Sequence, residues 1–390
     1  MEENLRVYTI VIGSKEYFST QIATVLDERG ITIADNFVQT VQRHDDWRKR
    51  FSIEGISKTE KDEFEKTDFL VVRNSDYHGI VETAHDRLGV LIEDLTDDNA
   101  VIFVHNPTKL LEDYLSKLSS RNEISLSYKR ETHRTPDDFL IFKEGLKIIS
   151  EGVIGQDKAI NELIRSLWYL SQTQRKKPFV VMLYGNSSIG KTETVRAISK
   201  HFFSDKIYEK HLSMFQSVSA EHYLFGNNPN RTSIGFELLE RESNLVFLDE
   251  FDKLNNYFYP VFYTLFDNTL FQDATYRVDI SGLIIILTSN YHNYEEMKKH
   301  LGLPIFYRID KFVHFEDFNS ATIRKVADME IASYVKNSDS SLCTNLINAR
   351  VYPKINAYGE NARTIKSKVQ QVIEEVLFEK ALISTELTEQ

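Results

Sequence analysis

The sequence predicts an α/β protein: a small open α/β sheet, then a second, parallel sheet, closed by an all-helical C-terminal end. Three observations point there. Short apolar strands alternate with helix-period stretches twice over, first from residue 1 to about 130 and again after Pro178. The strands of the second set, FVVMLY (179–184), NLVFLD (244–249) and GLIIILTSN (282–290), are apolar almost without a break, as central strands covered on both faces must be. After Phe318 the pattern turns wholly helical, most clearly in TIRKVADMEIASYV and KVQQVIEEVLFEKALI.

The first set reads in order. VYTIVIG (7–13) predicts a buried strand, and Phe18, Ile22, Val25 and Leu26 follow at helical spacing until Gly30 stops the helix before a second strand at ITI (31–33). FLVV (69–72) and VIFV (101–104) are the next strands. Asn106 and Pro107 are then expected as cap and first residue of a helix carrying Leu111, Tyr114, Leu115 and Leu118. Between them KTEKDEFEK (58–66) reads as a solvated loop or helix face. The polar stretch KRETHRTPDD (129–138) separates this region from an apolar helical stretch beginning at Phe139. The expected division is therefore an N-terminal α/β domain over 1–130, a second over 139–317 and a small helical domain over 318–390.

Bulk properties bound the function. A chain of 390 residues is long enough for two or three cored domains. A net charge of −11 argues against affinity for a phosphate backbone, so nucleic acid is not the expected partner. MEENLRVYTI has neither the basic nor the apolar part of a signal segment, and runs such as LIIIL (283–287) are far too short to span a membrane. The one cysteine, Cys343, allows no internal disulfide and reads as an ordinary small residue. A cytoplasmic protein is the expectation.

The chemistry concentrates in the second set. GNSSIGKT (185–192) matches a phosphate-binding loop and stands between an apolar strand and a helix pattern, the context that motif requires. Gly185 and Gly190 let the backbone amides of Asn186, Ser187, Ser188 and Ile189 turn toward phosphate oxygens, at a helix N-terminus whose dipole favours anions. Lys191 would reach the β- and γ-phosphates of ATP and Thr192 would ligate Mg²⁺. Further on, NLVFLDEF ends an apolar strand in two carboxylates: Asp249 to hold Mg²⁺, Glu250 to polarise the attacking water. Such a pair can equally cap a following helix. GLIIILTSN ends in Thr288, Ser289 and Asn290, which a parallel sheet brings to the same edge, with Asn290 placed to orient the water.

From about residue 150 to 385 these motifs, in this order, resemble the AAA+ ATPases, and most of all the C-terminal ATPase module of the Clp chaperone and unfoldase group. The resemblance implies an AAA+ parallel sheet with a helical lid. GVIGQDKAI (152–160) is similar to the segment that encloses adenine, which assigns Val153 and Ile154 to the base, and the loop resemblance extends to Glu193. LPIFYRIDKFVHF (303–315) resembles the element bearing the arginine finger, and YGENARTIKSKVQ (358–370) the start of the sensor 2 helix. That implies Arg308 acting on a neighbour's nucleotide and Arg363 on its own subunit's γ-phosphate. A homo-oligomeric ring of six subunits acting on a protein client is the assembly so implied, with no membrane. The dull alternatives are that Arg308 pairs with Asp310 or a lid carboxylate, and that Arg363 decorates a helix.

Two regions depart from the group. Where an aromatic pore loop is expected, the chain has LFGNNPNRTSIGFELLE (224–240), with Asn230, Arg231, Thr232 and Ser233 at the gripping positions. Arg231 reads as a solvated loop residue or a contact for an acidic partner or nucleic acid, and Phe271 as core or pore-facing. The N-terminal region carries no catalytic signature; a flavodoxin-like or Toll/interleukin-receptor-like (TIR-like) sheet fits its alternation, and His44, Asp45, Asp46, His78 and His105 read as structural or surface residues. The function expected is a Clp-like ATPase remodelling a partner recruited by residues 1–130. The alternative is an ATP-controlled signalling or defence scaffold that clusters its N-terminal domains.

Overall fold

The structure, a computed structural model, describes residues 5–30, 34–53, 63–173, 175–215, 218–337 and 344–388. The expected strand at 31–33, most of the charged stretch at 58–66 and Cys343 lie outside or largely outside these residues.

The N-terminal region runs β1 (Arg6–Ile12), α1 (Lys15–Arg29), β2 (Asp35–Asn36), α2 (Phe37–Ile53), β3 (Thr67–Val72), α3 (Leu88–Leu95), β4 (Thr96–His105), α4 (Lys109–Ser120) and β5 (Ile124–Arg130). All its strands are parallel, in the order β2-β3-β4-β1-β5. The open α/β sheet is as expected, but the order is not the flavodoxin-like 2-1-3-4-5: β1 lies between β4 and β5, with β3 next to β4. Gly30 closes α1 in a left-handed conformation, its amide donating to the carbonyls of Leu26 and Asp27. The start of α4 differs from the reading. Thr108, not Asn106, caps it, its hydroxyl accepting from the Leu111 amide, because Asn106 (φ 42°) is turned back onto Gly13.

A short irregular stretch leads to α5 (Phe139–Gly152) and α6 (Asp157–Ser171). The second sheet and its helices follow as β6 (Phe179–Tyr184), α7 (Lys191–Phe202), β7 (Tyr208–His211), α8 (Val218–Phe225), α9 (Ile234–Leu239), β8 (Leu245–Asp249), α10 (Tyr259–Asp267), the antiparallel hairpin β9 (Leu270–Gln272) and β10 (Arg277–Asp279), β11 (Ile284–Thr288), α11 (Tyr294–Phe306) and β12 (Lys311–His314). The sheet is wholly parallel in the order β12-β6-β11-β8-β7, and every residue of β8 and β11 is buried. Helices α12 (Ser320–Asn337), α13 (Thr344–Val351) and α14 (Ala362–Thr388) end the chain.

Each sheet has an apolar cluster on each face. Two clusters, around Tyr8, Leu70 and Ile102 and around Phe18 and Phe103, fill the two faces of the first sheet. Two others fill the faces of the second; one of them, built on Leu183, Phe247 and Ile286, runs on into α12–α14 through Ile323, Val326 and Ile365. Of the described apolar residues in the N-terminal region, Ile12 touches both sides. Among the described residues no helix is long and apolar enough to cross a membrane.

Candidate functional site

Adjacent parallel strands deliver their last residues to one edge, and here β6, β11 and β8 are adjacent. Leu183 is level with Thr288, and Leu287 with Leu248, so the loop after β6, the Thr288–Asn290 segment and the Asp249–Glu250 pair meet at the carboxyl end of the sheet. They line a cavity of about 780 Å³.

The loop is shaped by its glycines. Gly185 (φ 133°) lies so close to the chain just after β12 that a Cβ would come within 2.4 Å of the Phe315 carbonyl oxygen. A Cβ on Gly190 (φ 106°) would stand 2.8 Å from Val153 Cγ1. No side chain caps α7 behind Gly190, so its first-turn amides and dipole face the cavity. Lys191 is 7% exposed; its ammonium donates to the Gly185 and Asn186 carbonyls at 2.7 and 2.5 Å and to Asn290 Oδ1 at 3.3 Å. Burial lowers its pKa to about 8, with Asp252, Asp249 and Asp317 opposing the shift. Asn186 itself donates to Asp317 at 2.7 Å.

Thr288 holds the Asp249 carboxylate and the Glu250 backbone. Its hydroxyl donates to Asp249 Oδ1 and accepts the Glu250 amide at 2.9 Å. Glu250 is left-handed (φ 57°, ψ 44°), a conformation that costs a β-carbon-bearing residue about 1–3 kcal/mol and marks functional turns. No helix is capped by the pair, which removes that alternative: the following 3₁₀ turn at Phe251–Lys253 has no side-chain cap.

Of the residues expected at the site, Val153, Ile154, Ser187, Ser188, Ile189, Gly190, Lys191, Thr192, Glu193, Asp249, Glu250, Asn290 and Arg363 line the cavity; Gly185 and Asn186 instead receive Lys191. Arg308 is elsewhere on its own chain. Its Nε meets Asp267 Oδ2 at 2.5 Å, Nη1 donates to the Pro304 carbonyl at 2.6 Å, and the guanidinium lies 4.6 Å from the Tyr263 ring centre. The pairing with Asp310 does not occur, because Arg175 occupies that carboxylate at 2.8 Å. Arg363 lies exposed in the first turn of α14, whose Ala362 amide donates to the Ser188 carbonyl at 2.9 Å. Phe271 is core at 1% exposure, and Arg231 is an exposed loop residue.

Sequence reasoning missed two residues. His211 ends edge strand β7 in register with Asp249 and places Nδ1 3.2 Å from its Oδ2. Gln156, 2% exposed, donates to the carbonyls of Ile189 and Glu316 at 3.0 and 2.9 Å and accepts the Glu316 amide at 3.1 Å, tying the phosphate loop to the chain entering α12. Only the glutamine of GVIGQ was a signal for the second, and nothing local marked the first.

The donor set suits a nucleotide with its cation. Uncapped amides, a buried ammonium and a cradle that tolerates no β-carbon fit phosphate, while a hydroxyl (Thr192) and a carboxylate (Asp249) lining the same cavity are the hard-oxygen donors that Mg²⁺ prefers. The apolar end, with Val153, Ile154, Phe318 and Val326, fits a base.

Comparison with known proteins agrees. Chaperone protein ClpB 2 of Synechocystis sp. is 24% identical over 261 residues, 57% of this chain and 30% of its own length. Chaperone protein ClpB of Yersinia enterocolitica is 29% identical over 166 residues (40% and 19%), and the AAA+ ATPase ClpV1 of Pseudomonas aeruginosa 29% over 158 (36% and 17%). The chain thus spans less than a third of the length of these relatives. The family model described as AAA domain (Cdc48 subfamily) matches residues 176–377, just over half of the 390. With the phosphate loop, the acidic strand end and Asn290 all inside that stretch, the chain belongs to the AAA domain family, Cdc48 subfamily, as a phosphate-loop ATPase resembling the Clp chaperone group.

Proposed function

We propose that this chain hydrolyses ATP within a homo-oligomeric ring, six subunits by analogy with the group, and couples the cycle to remodelling a protein partner in the cytoplasm. The observation that carries it is the convergence of Lys191, Asp249, Glu250 and Asn290 on one cavity from three neighbouring strands. Lys191, already cationic and poised on two loop carbonyls, neutralises the β- and γ-phosphates. Thr192 and Asp249 would hold Mg²⁺, which would supply charge neutralisation at the phosphates. Glu250 accepts the proton of the water it polarises, Asn290 orients that water, and Arg363 reads the γ-phosphate from α14. Val153 and Ile154 enclose the base, and Glu193 lines the phosphate end. Arg308 acts in trans: partly exposed and braced by Asp267 and Tyr263, it reaches a neighbour's phosphate. The division into 1–130, 139–317 and 318–390 belongs to this reading, with the first part recruiting the partner.

Two variants test it. Glu250→Gln keeps ATP binding and slows hydrolysis by roughly 10²–10⁴. Arg308→Ala binds ATP as the parent does and loses on the order of 10³ in turnover; parental turnover in this variant removes the trans role. A second reading, the ATP-controlled scaffold that clusters its N-terminal domains, is favoured by the absence of any aromatic in 226–233. ATP-dependent assembly without unfolding of any tagged protein selects it.

A further inference from the structure

The segment between α8 and α9 and the turn of the β9–β10 hairpin are welded together by one buried carboxylate. Asp273 accepts from the Ser233 hydroxyl (2.6 Å) and the amides of Gly235 (3.1 Å), Thr275 (2.8 Å) and Tyr276 (2.6 Å). Gly226 (φ 61°) and Gly235 are the close-approach positions: a Cβ on either would come within 2.4 or 2.3 Å of the Asp273 carboxylate. Thr275 closes the block by donating to the Gly226 carbonyl at 2.6 Å. From β10 the chain continues straight into β11, which ends at Thr288 beside Asp249.

The N-terminal region is bolted to this block. At the start of α4 the Lys109 amide donates to the Thr275 carbonyl (2.9 Å) and its ammonium to the Asp273 carbonyl (2.7 Å). Arg277 grips Asp113 with two bonds of 2.6 and 3.1 Å, and His85 shares a 2.7 Å bond with Asn230 in the middle of the loop. Lys15 and Asn74 both reach Glu240 at 3.4 Å, and the rings of His78 and Phe236 stack at 4.9 Å. The seam is polar, and the apolar clusters on its two sides are separate but for Ile12. Parting it returns its ion pairs and hydrogen-bonding groups to water and leaves each side its own apolar core.

We propose that the N-terminal region is a releasable latch, which in its docked state holds the 226–235 loop and the hairpin turn immobile. The inference does not depend on the hydrolytic reading, since its measurement needs no turnover.

Hydrogen exchange on the full chain tests it. Asp113→Arg sets like charges against each other at Arg277; the amides of Gly235 and Phe236 and of the hairpin turn are then expected to exchange at least tenfold faster, while β1 and β4 keep their parental protection. The swap Asp113→Arg with Arg277→Asp rebuilds the pair and restores slow exchange. Asp113→Asn, a milder change, is read in the same way should the reversal disturb the N-terminal sheet itself. Equal loop exchange in parent, single variants and swap overturns the latch, as does a loop that stays fast in the swap.

Discussion

Two parallel sheets in one chain meet the same opportunity at their carboxyl edges and use it oppositely. In the first, the turn after β1 is saturated by its own neighbours. The Gly13 amide donates to Asn106 Oδ1 at 3.0 Å, its carbonyl accepts from Asn106 Nδ2 and His105 Nε2 at 2.9 Å each, and the Ser14 amide donates to Glu131 at 2.7 Å. Ser14 caps α1, and His105 stacks on Phe18 with ring centres 4.3 Å apart. In the second, the turn after β6 leaves its helix uncapped and opens into about 780 Å³. A strand–turn–helix unit at a parallel edge is therefore a site only where the loop amides are left for a ligand; where asparagine, glutamate and histidine take them, it is structure.

The largest expected effect sharpens the contrast from the open side. Lys191→Ala removes the buried cation facing the phosphate end, and ATP affinity is expected to fall on the order of 10³-fold, read by calorimetry, since hydrogen bonds to two charged phosphate oxygens are lost together. An alanine variant binding within tenfold of the parent would make the two edges alike.

Next in size is a pH effect on the closed side. Burial holds the His105 imidazole down to about 4, against an unfolded value of about 6.5, the Gly13 carbonyl only partly countering it. The unfolded chain binds the extra proton first, so His105's contribution is complete above pH 6.5 and is lost as pH falls from there through about 4, a span of about 3 kcal/mol. With Trp168→Phe as background, Trp47 fluorescence reports denaturation of the N-terminal region. His105→Gln is expected to flatten that acid slope; an unchanged slope would show that the histidine is not held neutral there.

The contrast also explains what the sequence made legible. The apolar strands β6, β8 and β11 and the loop between Gly185 and Thr192 declare themselves locally, because burial on both faces and phosphate binding each demand particular residues in a row. Asn106 misled because an asparagine before a proline is a good cap in isolation, whereas its side chain is spent on Gly13, 93 residues away. Strand β5 (ISLSYKR) escaped notice as a half-exposed, partly charged edge strand. The order of the first sheet, His211 beside Asp249, and Arg308 on Asp267 rather than Asp310 are likewise set by pairings across the fold, which no local pattern encodes.

The smallest expected effect concerns what keeps the open edge open. Gln156 spans the phosphate loop and the chain entering α12 with one carboxamide, while Glu250 and Asn290 hang on β8 and β11 and do not touch it. Gln156→Leu leaves the carbonyls of Ile189 and Glu316 and the Glu316 amide without their buried partner, so the loop and the lid-side helices lose a common anchor. The expected result is a split: KM for ATP rises about tenfold, matching about 1.4 kcal/mol of lost positioning, while kcat stays within a few-fold because the hydrolytic groups keep their strands. A variant that loses kcat and keeps KM would place Gln156 with the catalytic strands instead, and the boundary between holding the nucleotide and hydrolysing it would have to be redrawn through α6.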